Sequence, residues 1–362
     1  MNAAAKEYDG QNKYLRITDI DDTSRQFVSA DITSPDANLA EADNYRLSDG
    51  DVLFARTGAS VGKTYLYKKS DGLVYFAGFL IRAKIKESVS AGFIFQNTLT
   101  RSYERYIAIT SQRSGQPGVN AQEYAEYQLM LPELFEQEKI AKLLEALDTL
   151  ITLHQRKYEK LVNIKKSMLD KMFPPNGASV PEIRFKGFTD PWEQRKVREV
   201  TDRYDNLRIP VAASLRVVGT TPYYGANGIQ DYVEGYTHDG EFILVAEDGA
   251  NDLKNYPVKC VKGRIWVNNH AHVLQGKCAC ADNQFLAYAI SQADIESLLV
   301  GGGRAKLNAE TLMDIELLLP SKNEQIQIGH YLARLDHLIT LHQRKLEKLQ
   351  NIKKSCLEKM FV

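Results

Sequence analysis

Residues 58–64, Gly-Ala-Ser-Val-Gly-Lys-Thr, are the stretch whose possible chemistry is easiest to name. A phosphate-binding P-loop has four residues between its glycines so that backbone amides surround a phosphate, whereas only three separate Gly58 from Gly62. A P-loop also opens a helix, and residues 65–67 instead alternate as in a strand. A nucleotide-dependent enzyme acting through Lys63 is therefore the least favoured function.

Two histidines and two cysteines, His270, His272, Cys278 and Cys280, lie close enough in sequence to raise the question of zinc. Zinc-binding cysteines are usually separated by two or more residues, whereas only one residue separates Cys278 from Cys280. The pattern favours a strand and a small turn with buried thiols, so we predict no metal site. Paired catalytic carboxylates, a nucleophile elbow and a methyltransferase cofactor loop are also not recognisable, and we predict no catalytic residue and no cofactor.

The remaining candidates are clusters of side chains that can read the edges of DNA bases. In the major groove, arginine pairs with guanine, asparagine or glutamine pairs with adenine, and glutamate accepts from cytosine. Neighbouring glycines would let a loop approach the duplex closely. Asn-Gly and Asp-Gly are also the commonest hairpin turns, so each cluster has an alternative interpretation as a simple turn. The candidate DNA-binding residues are Arg56, Thr57, Lys63, Gln112, Arg113, Gln116, Tyr223, Tyr224, Asn227, Glu247, Asn251, Asn268, Asn269, His270 and Arg304.

A long stretch that occurs twice would position these candidates. Residues 132–173 and 320–361 are identical at roughly two-thirds of their positions and share the core Leu-Ile-Thr-Leu-His-Gln-Arg-Lys. In the first copy, one stripe of mainly apolar residues recurs every seven positions beside a second stripe. Two such stripes predict a helix that packs on another helix. The first stripe is Ile140, Leu147, His154, Leu161 and Met168, and the second is Leu143, Leu150 and Ile164.

Each predicted helix has about 36 residues and a length of about 54 Å, more than the core of one small domain requires. The two copies would pack most simply on each other, as an antiparallel pair that holds two globular regions apart. The alternative is that each helix belongs only to the core of its own half. Pro174, Pro175 and Gly177 should end the first helix, because proline lacks an amide donor and clashes with the preceding turn.

Turn signals and short alternating runs fill the two other regions, which indicates mixed, mostly β domains. Residues 51–55 are a predicted buried strand, and residues 91–105 are a predicted helix. The predicted fold class is α+β, with two mixed, mostly β domains separated by two long helices packed as an antiparallel coiled coil. The predicted boundaries are 1–131 for the first domain, 132–174 for the first helical region, 175–191 for a linker, 192–319 for the second domain and 320–362 for the second helical region.

The composition limits what the surface can do. Lysine plus arginine equal aspartate plus glutamate at 46 each, so no global field draws the chain to nucleic acid. DNA binding would have to rest on local patches or on partner subunits. Cysteines are too sparse for a disulfide framework, and no segment approaches the roughly 20 apolar residues of a membrane helix. We expect a cytoplasmic protein without a membrane partner.

Together these features resemble the specificity subunit of type I restriction-modification systems. The resemblance covers nearly the whole chain and is carried by the duplicated helices and by an ordered set of motifs. These motifs are residues 49–63 (DGDVLFARTGASVGK), the opener 192–196 (WEQRK) that follows Phe188-Thr189-Asp190, 221–233 (TPYYGANGIQDYV) and 266–274 (WVNNHAHVL).

The resemblance implies recognition without catalysis. Each target-recognition domain would read half of a split DNA target from the major groove, and the helix pair would set the length of the unread spacer. The implied partners are double-stranded DNA, two methyltransferase subunits that carry S-adenosylmethionine, and a motor and nuclease subunit. The alternative function is a coiled-coil assembly scaffold without sequence-specific DNA binding.

The two halves differ at one point. The opener Trp-Glu-Gln-Arg-Lys begins the second half at residue 192, whereas the first half begins Met-Asn-Ala-Ala-Ala-Lys-Glu-Tyr-Asp-Gly and contains no equivalent. We expect the first recognition domain to lack its leading segment or to have it supplied differently. Its half-site would then not be read in the usual way.

Overall fold

The computed structural model describes residues 1–27, 31–175, 177–301 and 305–361, which form two compact units. Unit 1 consists of Met1–Tyr158 and His342–Val362, and unit 2 consists of Glu159–Leu341. Each unit therefore contains part of both long helices. The α+β class predicted from the sequence is confirmed. Within the described ranges, no helix is long and apolar enough to cross a membrane.

Unit 1 begins with short strands around a small core. These are β1 (Ala4–Glu7), β2 (Asn12–Leu15), β3 (Thr33–Asp36), β4 (Val52–Ala55), β5 (Thr64–Leu66), β6 (Leu73–Phe76) and β7 (Leu80–Ala83). β1 pairs antiparallel with β3, β2 pairs parallel with β6, and β4 lies between β5 and β7 in an antiparallel sheet. Leu15, Leu53 and Val74 are fully buried between these strands. The buried strand predicted at residues 51–55 is confirmed by β4.

The helices of unit 1 follow the strands. They are α1 (Ala91–Asn97), α2 (Arg101–Thr110), α3 (Ala121–Ala125) and the long α4 (Leu134–Met172). The single helix predicted over residues 91–105 is wrong in one respect, because the structure divides it into α1 and α2. Thr100 has extended backbone and caps α2 by accepting a hydrogen bond from the amide of Tyr103, which starts a new helix there.

Unit 2 is built on a larger sheet. Its strands are β8 (Glu193–Lys196), β9 (Thr201–Arg203), β10 (Val218–Gly225), β11 (Gly228–Val233), β12 (His238–Ala246), β13 (Val258–Val267), β14 (Ala271–Gly276) and β15 (Glu316–Leu319). The main sheet has the order β11-β10-β13-β12-β14-β9, and β15 pairs antiparallel with β8 outside it. The helices are α5 (Val197–Val200), α6 (Asn283–Ser291), α7 (Ala309–Asp314) and the long α8 (Lys322–Met360).

The central strand β12 contributes to two cores. Successive side chains of a strand point to opposite faces, so an uninterrupted apolar run must be covered on both sides. Ile243 and Val245 pack with Phe285 of α6 on one face. Phe242 and Leu244 pack on the other face against neighbouring strands. The sheet therefore holds the ends of β10, β12 and β13 rigidly, and these ends carry the polar loops.

The long helices, of 39 residues each, run in opposite directions where they meet. In unit 1, the Asp148 carboxylate pairs with Lys353 at 2.5 Å, and His154 Nδ1 lies 2.8 Å from His342 Nδ1. Residue numbers thus rise along α4 as they fall along α8. The antiparallel helix pair predicted from the repeat is confirmed.

The sequence repeat is also a repeat of contacts. In unit 2, Lys165 of α4 pairs with Asp336 of α8 at 2.6 Å. This is the Asp148–Lys353 contact of unit 1 with the two partners exchanged between the helices. The repeated helix surface therefore has both members of this ion pair and is complementary to a second copy of itself.

One glutamine attaches each long helix to its own half. In unit 1, the side-chain carbonyl of Gln137 accepts a hydrogen bond from the amide of Ser90 at 3.0 Å. In unit 2, the equivalent Gln325 accepts from the amide of Asp282 at 3.0 Å. Ser90 and Asp282 are the N-caps of α1 and α6, so the same helix-to-helix junction is built in both halves.

The second predicted stripe of α4 is wrong in part. Ile140 and Leu147 are buried as expected, but Leu143 is 44% exposed, Leu150 is 43% exposed, and Leu144 is fully buried instead. The reason is Phe93 of α1, which packs with Ile140, Leu144 and Leu147 and thereby selects the buried face. Residues 143 and 144 lie about 100° apart around a helix, so only one of the two leucines can face α1.

Candidate nucleic-acid interface

Three loops of unit 2 meet beside the ends of β10, β12 and β13. The first is the β10–β11 turn, in which Asn227 is exposed and Gly228 has a φ of 109°, a value that favours glycine. The Asn227 side-chain amide donates to the Gly249 carbonyl at 2.9 Å, and its oxygen accepts from the amide of Asn251 at 3.0 Å. Asn227 therefore fixes one loop against the next, and Asn251 is held exposed beside it.

The third loop is the β13–β14 turn. Asn268 is buried, and its side-chain oxygen accepts from the backbone amide of His270 at 2.8 Å. The His270 ring contacts Asp248 at 2.5 Å, which ties this turn to the loop after β12. Asn269, at the tip between these two residues, is exposed. Predicted residues from all three clusters of the second half are thus brought together.

Glu247 lies under these loops in a charged network and is not free to read a base. Its carboxylate is mostly buried and accepts from Arg208 at 2.6 Å and from Lys306 at 2.9 Å. Burial raises the pKa of Glu247, but hydrogen bonds from Arg208 and Lys306 and the nearby His272 outweigh it and hold the pKa below its ordinary value. The expectation that Glu247 accepts from cytosine is corrected by this pairing.

His272 and Asp205 complete the network. His272 Nδ1 lies 2.7 Å from an Asp205 oxygen, and Nε2 lies 2.9 Å from the Leu307 carbonyl. The ring is therefore held at both of its nitrogens. Burial raises the pKa of Asp205, but the hydrogen bond and charge of His272, with lesser contributions from Val273 and Arg208, lower it overall.

Asp205, Glu247 and His272 are close enough to hold a cation, since their ligand atoms lie within 4.8 Å of one another. Arg208 and Lys306 already neutralise the two carboxylates, so the donor set fits an ion-pair network better than a metal site. Of the four ligands considered from the sequence, His270, Cys278 and Cys280 are not part of this group. A strand and a turn hold the predicted positions, but the expected burial of the thiols is wrong, because Cys278 and Cys280 are exposed.

Tyr223 and Tyr224 were expected to contact DNA, but both are buried. The Tyr223 hydroxyl accepts from the amide of Val211 at 3.0 Å. Its ring stacks on Trp266, and the Arg216 guanidinium lies over the ring at 4.0 Å. Tyr224 packs into the second core of the sheet. These side chains support the β10–β11 turn from below, which corrects their expected role. Arg304 lies outside the described residues.

In unit 1, the loop after β4 lies against the loop before α3. The amide of Val119 donates to the Arg56 carbonyl at 2.9 Å, and the amide of Gly58 donates to the Pro117 carbonyl at 2.9 Å. Arg56 and Gln116 lie on the two paired loops and are both exposed, and Thr57 is partly covered. The Gln116 amide lies close above Gly58, where a Cβ would meet it at 2.7 Å.

The other candidate residues of unit 1 differ in their exposure and in their ion pairs. Gln112 is exposed. Arg113 pairs with Glu123 and donates to the Thr110 carbonyl at 2.7 Å, so its guanidinium is held on the surface. Lys63 is largely covered and paired with Asp22. The strand predicted after residues 58–64 is confirmed by β5, which leaves no helix for a P-loop to open.

Sequence reasoning missed the residues that hold the loops in place. Arg208, Lys306 and Asp205 were not singled out, although they position Glu247 and His272. No local signal could have found them, because the network joins four segments that are far apart in the chain.

Comparisons with known proteins bear on both halves. The family described as the type I restriction modification DNA specificity domain matches residues 2–163 and again residues 189–351. A putative type I restriction enzyme specificity subunit of Haemophilus influenzae is 44% identical over 146 residues, which is 40% of this chain and 38% of that protein. The MjaVIII specificity subunit of Methanocaldococcus jannaschii is 22% identical over 336 residues, covering 86% of this chain and 78% of its own length.

A solved structure matches the fold. The crystal structure of the S subunit of a type I restriction-modification system from M. genitalium superposes with a TM-score of 0.71 at 12% identity. The match covers 99% of this chain and 94% of that one. Since the family domain occupies most of the sequence in two successive copies, the chain belongs to the family of type I restriction-modification DNA specificity proteins.

Proposed function

We propose that this chain is the DNA sequence-recognition subunit of a type I restriction-modification complex and is itself non-catalytic. The observation that carries the proposal is the double match to the specificity domain, because each copy comes with its own set of exposed polar loops. One domain would read each half of a split target. Phosphate contacts would come largely from partner subunits, since the chain has 46 basic and 46 acidic residues.

The geometry reduces the proposed base contacts to the exposed side chains. In unit 2 these are Asn251 and Asn269, whose amides can pair with adenine in the major groove. Asn227, Asn268 and His270 would position the loops that carry them. In unit 1 the proposed contacts are Arg56, Gln112 and Gln116, together with Arg113 and Thr57. Arg304 stays a proposal from the sequence.

The proposed partners follow from family membership. Methyltransferase subunits would supply S-adenosylmethionine and the chemistry of modification, and a motor and nuclease subunit would complete restriction in the cytoplasm. Leu143, Leu150 and Leu153, left exposed along α4, form an apolar strip of the kind that protein partners cover. The helix pair would set the spacer between the half-sites.

The test is to express the chain with a cognate methyltransferase and to sequence the modified adenines. A split motif with two defined halves is expected. Asn269→Ala should relax one position in one half only, whereas Asn323→Ala, at an exposed position on α8, should leave the motif unchanged. A stable complex that modifies no defined motif would contradict sequence recognition and favour an assembly scaffold.

A further inference from the structure

The opener segment of unit 2 occupies a defined place beside α8. Trp192 is buried and packs edge-on against Phe173 and Phe285, with ring centroids 5.8 and 5.7 Å away. The next four residues form β8, which pairs antiparallel with β15 along its whole length. Leu319 of β15 is consequently only 5% exposed.

A charge pair holds the start of the same segment. Arg184 donates to both oxygens of Glu324 at 2.7 Å each, and Glu324 is completely buried on the first turn of α8. A buried carboxylate requires such a partner, because an unpaired charge away from water is costly. The covering segment therefore has three contact points: an arginine, a tryptophan eight residues later, and a strand.

Unit 1 contains the equivalent of the surface that binds the opener segment in unit 2. Residues 128–131 precede Pro132 as β15 precedes Pro320, and they read Gln-Leu-Met-Leu where β15 reads Glu-Leu-Leu-Leu. Within the described part of the chain, no strand pairs with residues 128–131 and their amides have no backbone acceptor. Met130 is 78% exposed and Leu131, the equivalent of Leu319, is 51% exposed.

A groove of about 900 Å³ lies along this unpaired stretch. Phe93, Leu131, Ile140 and Phe361 line it, and the rings of Phe93 and Phe361 are 4.8 Å apart, as Phe285 and Phe173 are 5.4 Å apart in unit 2. Glu136, at the position equivalent to Glu324, borders the groove. It is exposed and has no cationic partner among the described residues.

We propose that this groove binds an extended peptide segment of the opener type, supplied by another polypeptide. The tryptophan would pack on Phe93 and Phe361, the strand would pair with residues 128–131, and an arginine eight residues before the tryptophan would meet Glu136. An unpaired strand edge with an apolar pocket is a common means of binding extended peptides. The chain's own Trp192 is buried in unit 2, so it is not free to fill this groove.

The proposal is independent of DNA recognition and is tested with the full chain and a labelled peptide of residues 182–198. Fluorescence anisotropy should show saturable binding of one peptide per chain. A peptide with Trp192→Ala should bind at least about tenfold more weakly, because buried tryptophans dominate such interfaces. This change cannot affect the folding of the chain.

Substitutions in the chain locate the site. Leu131→Asp should weaken binding about tenfold or more, whereas Ile109→Asp, at an exposed position outside the groove, should not. Glu136→Gln should weaken binding of the native peptide but cause no further loss for a peptide with Arg184→Ala, which is the signature of a direct pair.

Three results would overturn the proposal. The first is the lack of saturable binding by the folded chain, and the second is binding that Leu131→Asp leaves unchanged. The third is self-association of the full chain that Leu131→Asp abolishes and the peptide does not compete with, since the groove would then be a contact between copies.

Discussion

At the scale of single residues, Asn227 explains how a hairpin turn can organise the proposed recognition surface. Its side chain binds the Gly249 carbonyl and the Asn251 amide, so the turn and the neighbouring loop move together. The exposed amides of Asn251 and Asn269 therefore project from a braced surface and not from independent loops. Preorganised side chains lose less conformational entropy when they bind.

Glu247 gives a prediction at the same scale. Glu247→Gln should lower the free energy of unfolding by about 1–3 kcal/mol, because Arg208 and Lys306 lose their shared carboxylate in a mostly buried place. Glu234→Gln, at an exposed carboxylate, should change it by less than about 0.5 kcal/mol. Urea unfolding measures both.

The lowered pKa of Glu247 determines how the difference in unfolding free energy between the native chain and Glu247→Gln depends on pH. Its stabilisation should be fully present above its ordinary pKa of 4.5 and should be lost as the pH falls through the lower folded value. The gap between Glu247→Gln and the native chain should therefore narrow towards pH 3. A gap that stays constant between pH 7 and pH 3 would contradict the charged network.

The sequence predicted correctly which polar residues lie on loops. It predicted less well which partners each side chain contacts there. Asn-Gly and Asp-Gly signal turns locally, and the clusters at residues 227, 251 and 269 are indeed on exposed loops. The burial of Tyr223 depends on Trp266 and Arg216, and the neutralisation of Glu247 depends on Arg208 and Lys306. Such partners are set by sheet topology, which local sequence does not encode.

At the scale of elements, the long helices were predictable because their periodic pattern occurs twice. The buried face of α4 was not, because two adjacent leucines satisfy the same pattern and Phe93 of a separate helix chooses between them. Leu144→Ala should therefore destabilise the chain by about 2–4 kcal/mol, the usual cost of a cavity at a buried leucine. Leu143→Ala should cost less than about 1 kcal/mol. Thermal or urea unfolding of the two variants would distinguish the faces, and equal losses would refute the assigned face.

The histidine pair gives a second prediction for the helices. The Nδ1 atoms of His154 and His342 can share a hydrogen bond only while at least one ring is neutral at that atom. Burial, and then the positive charges of His154, Lys157 and Lys345, lower the pKa of His342 from its ordinary 6.5. The pair should stabilise the helices above about pH 6.5, and the contribution should be lost as the pH falls through the lowered folded value.

The measurement is the melting temperature between pH 8 and pH 5. As the pH falls, the melting temperature of the native chain should decrease more than that of a variant with both His154→Gln and His342→Gln. His330→Gln, at an exposed position on α8, should keep the native pH dependence. Parallel curves for the native chain and the double variant would refute the role of the pair.

At the scale of the whole molecule, the proposed ruler function of the helices can be tested by shortening them. Deleting residues 151–157 and 339–345 removes the same heptad from both copies and keeps Asp148, Lys353, Lys165 and Asp336. Each helix loses about 10 Å, so the spacer in the methylated motif should shorten by roughly three base pairs with both half-sites unchanged. The His154→Gln and His342→Gln variant should keep the native spacer. A changed half-site with an unchanged spacer would contradict the ruler.

The exchanged ion pairs have a consequence beyond this chain. Asp336 and Lys353 lie on the same helix, and each finds its opposite on α4 at the repeat-equivalent position. Two copies of α8 would therefore offer each other the same two ion pairs and the same histidine contact, which is the definition of an isologous interface. A polypeptide with only one globular domain and one such helix would therefore have all the side chains that a twofold-symmetric helix pair requires. The two units of this chain use the same set of helix side chains once each, so their loops can differ in sequence while the helix contacts stay the same.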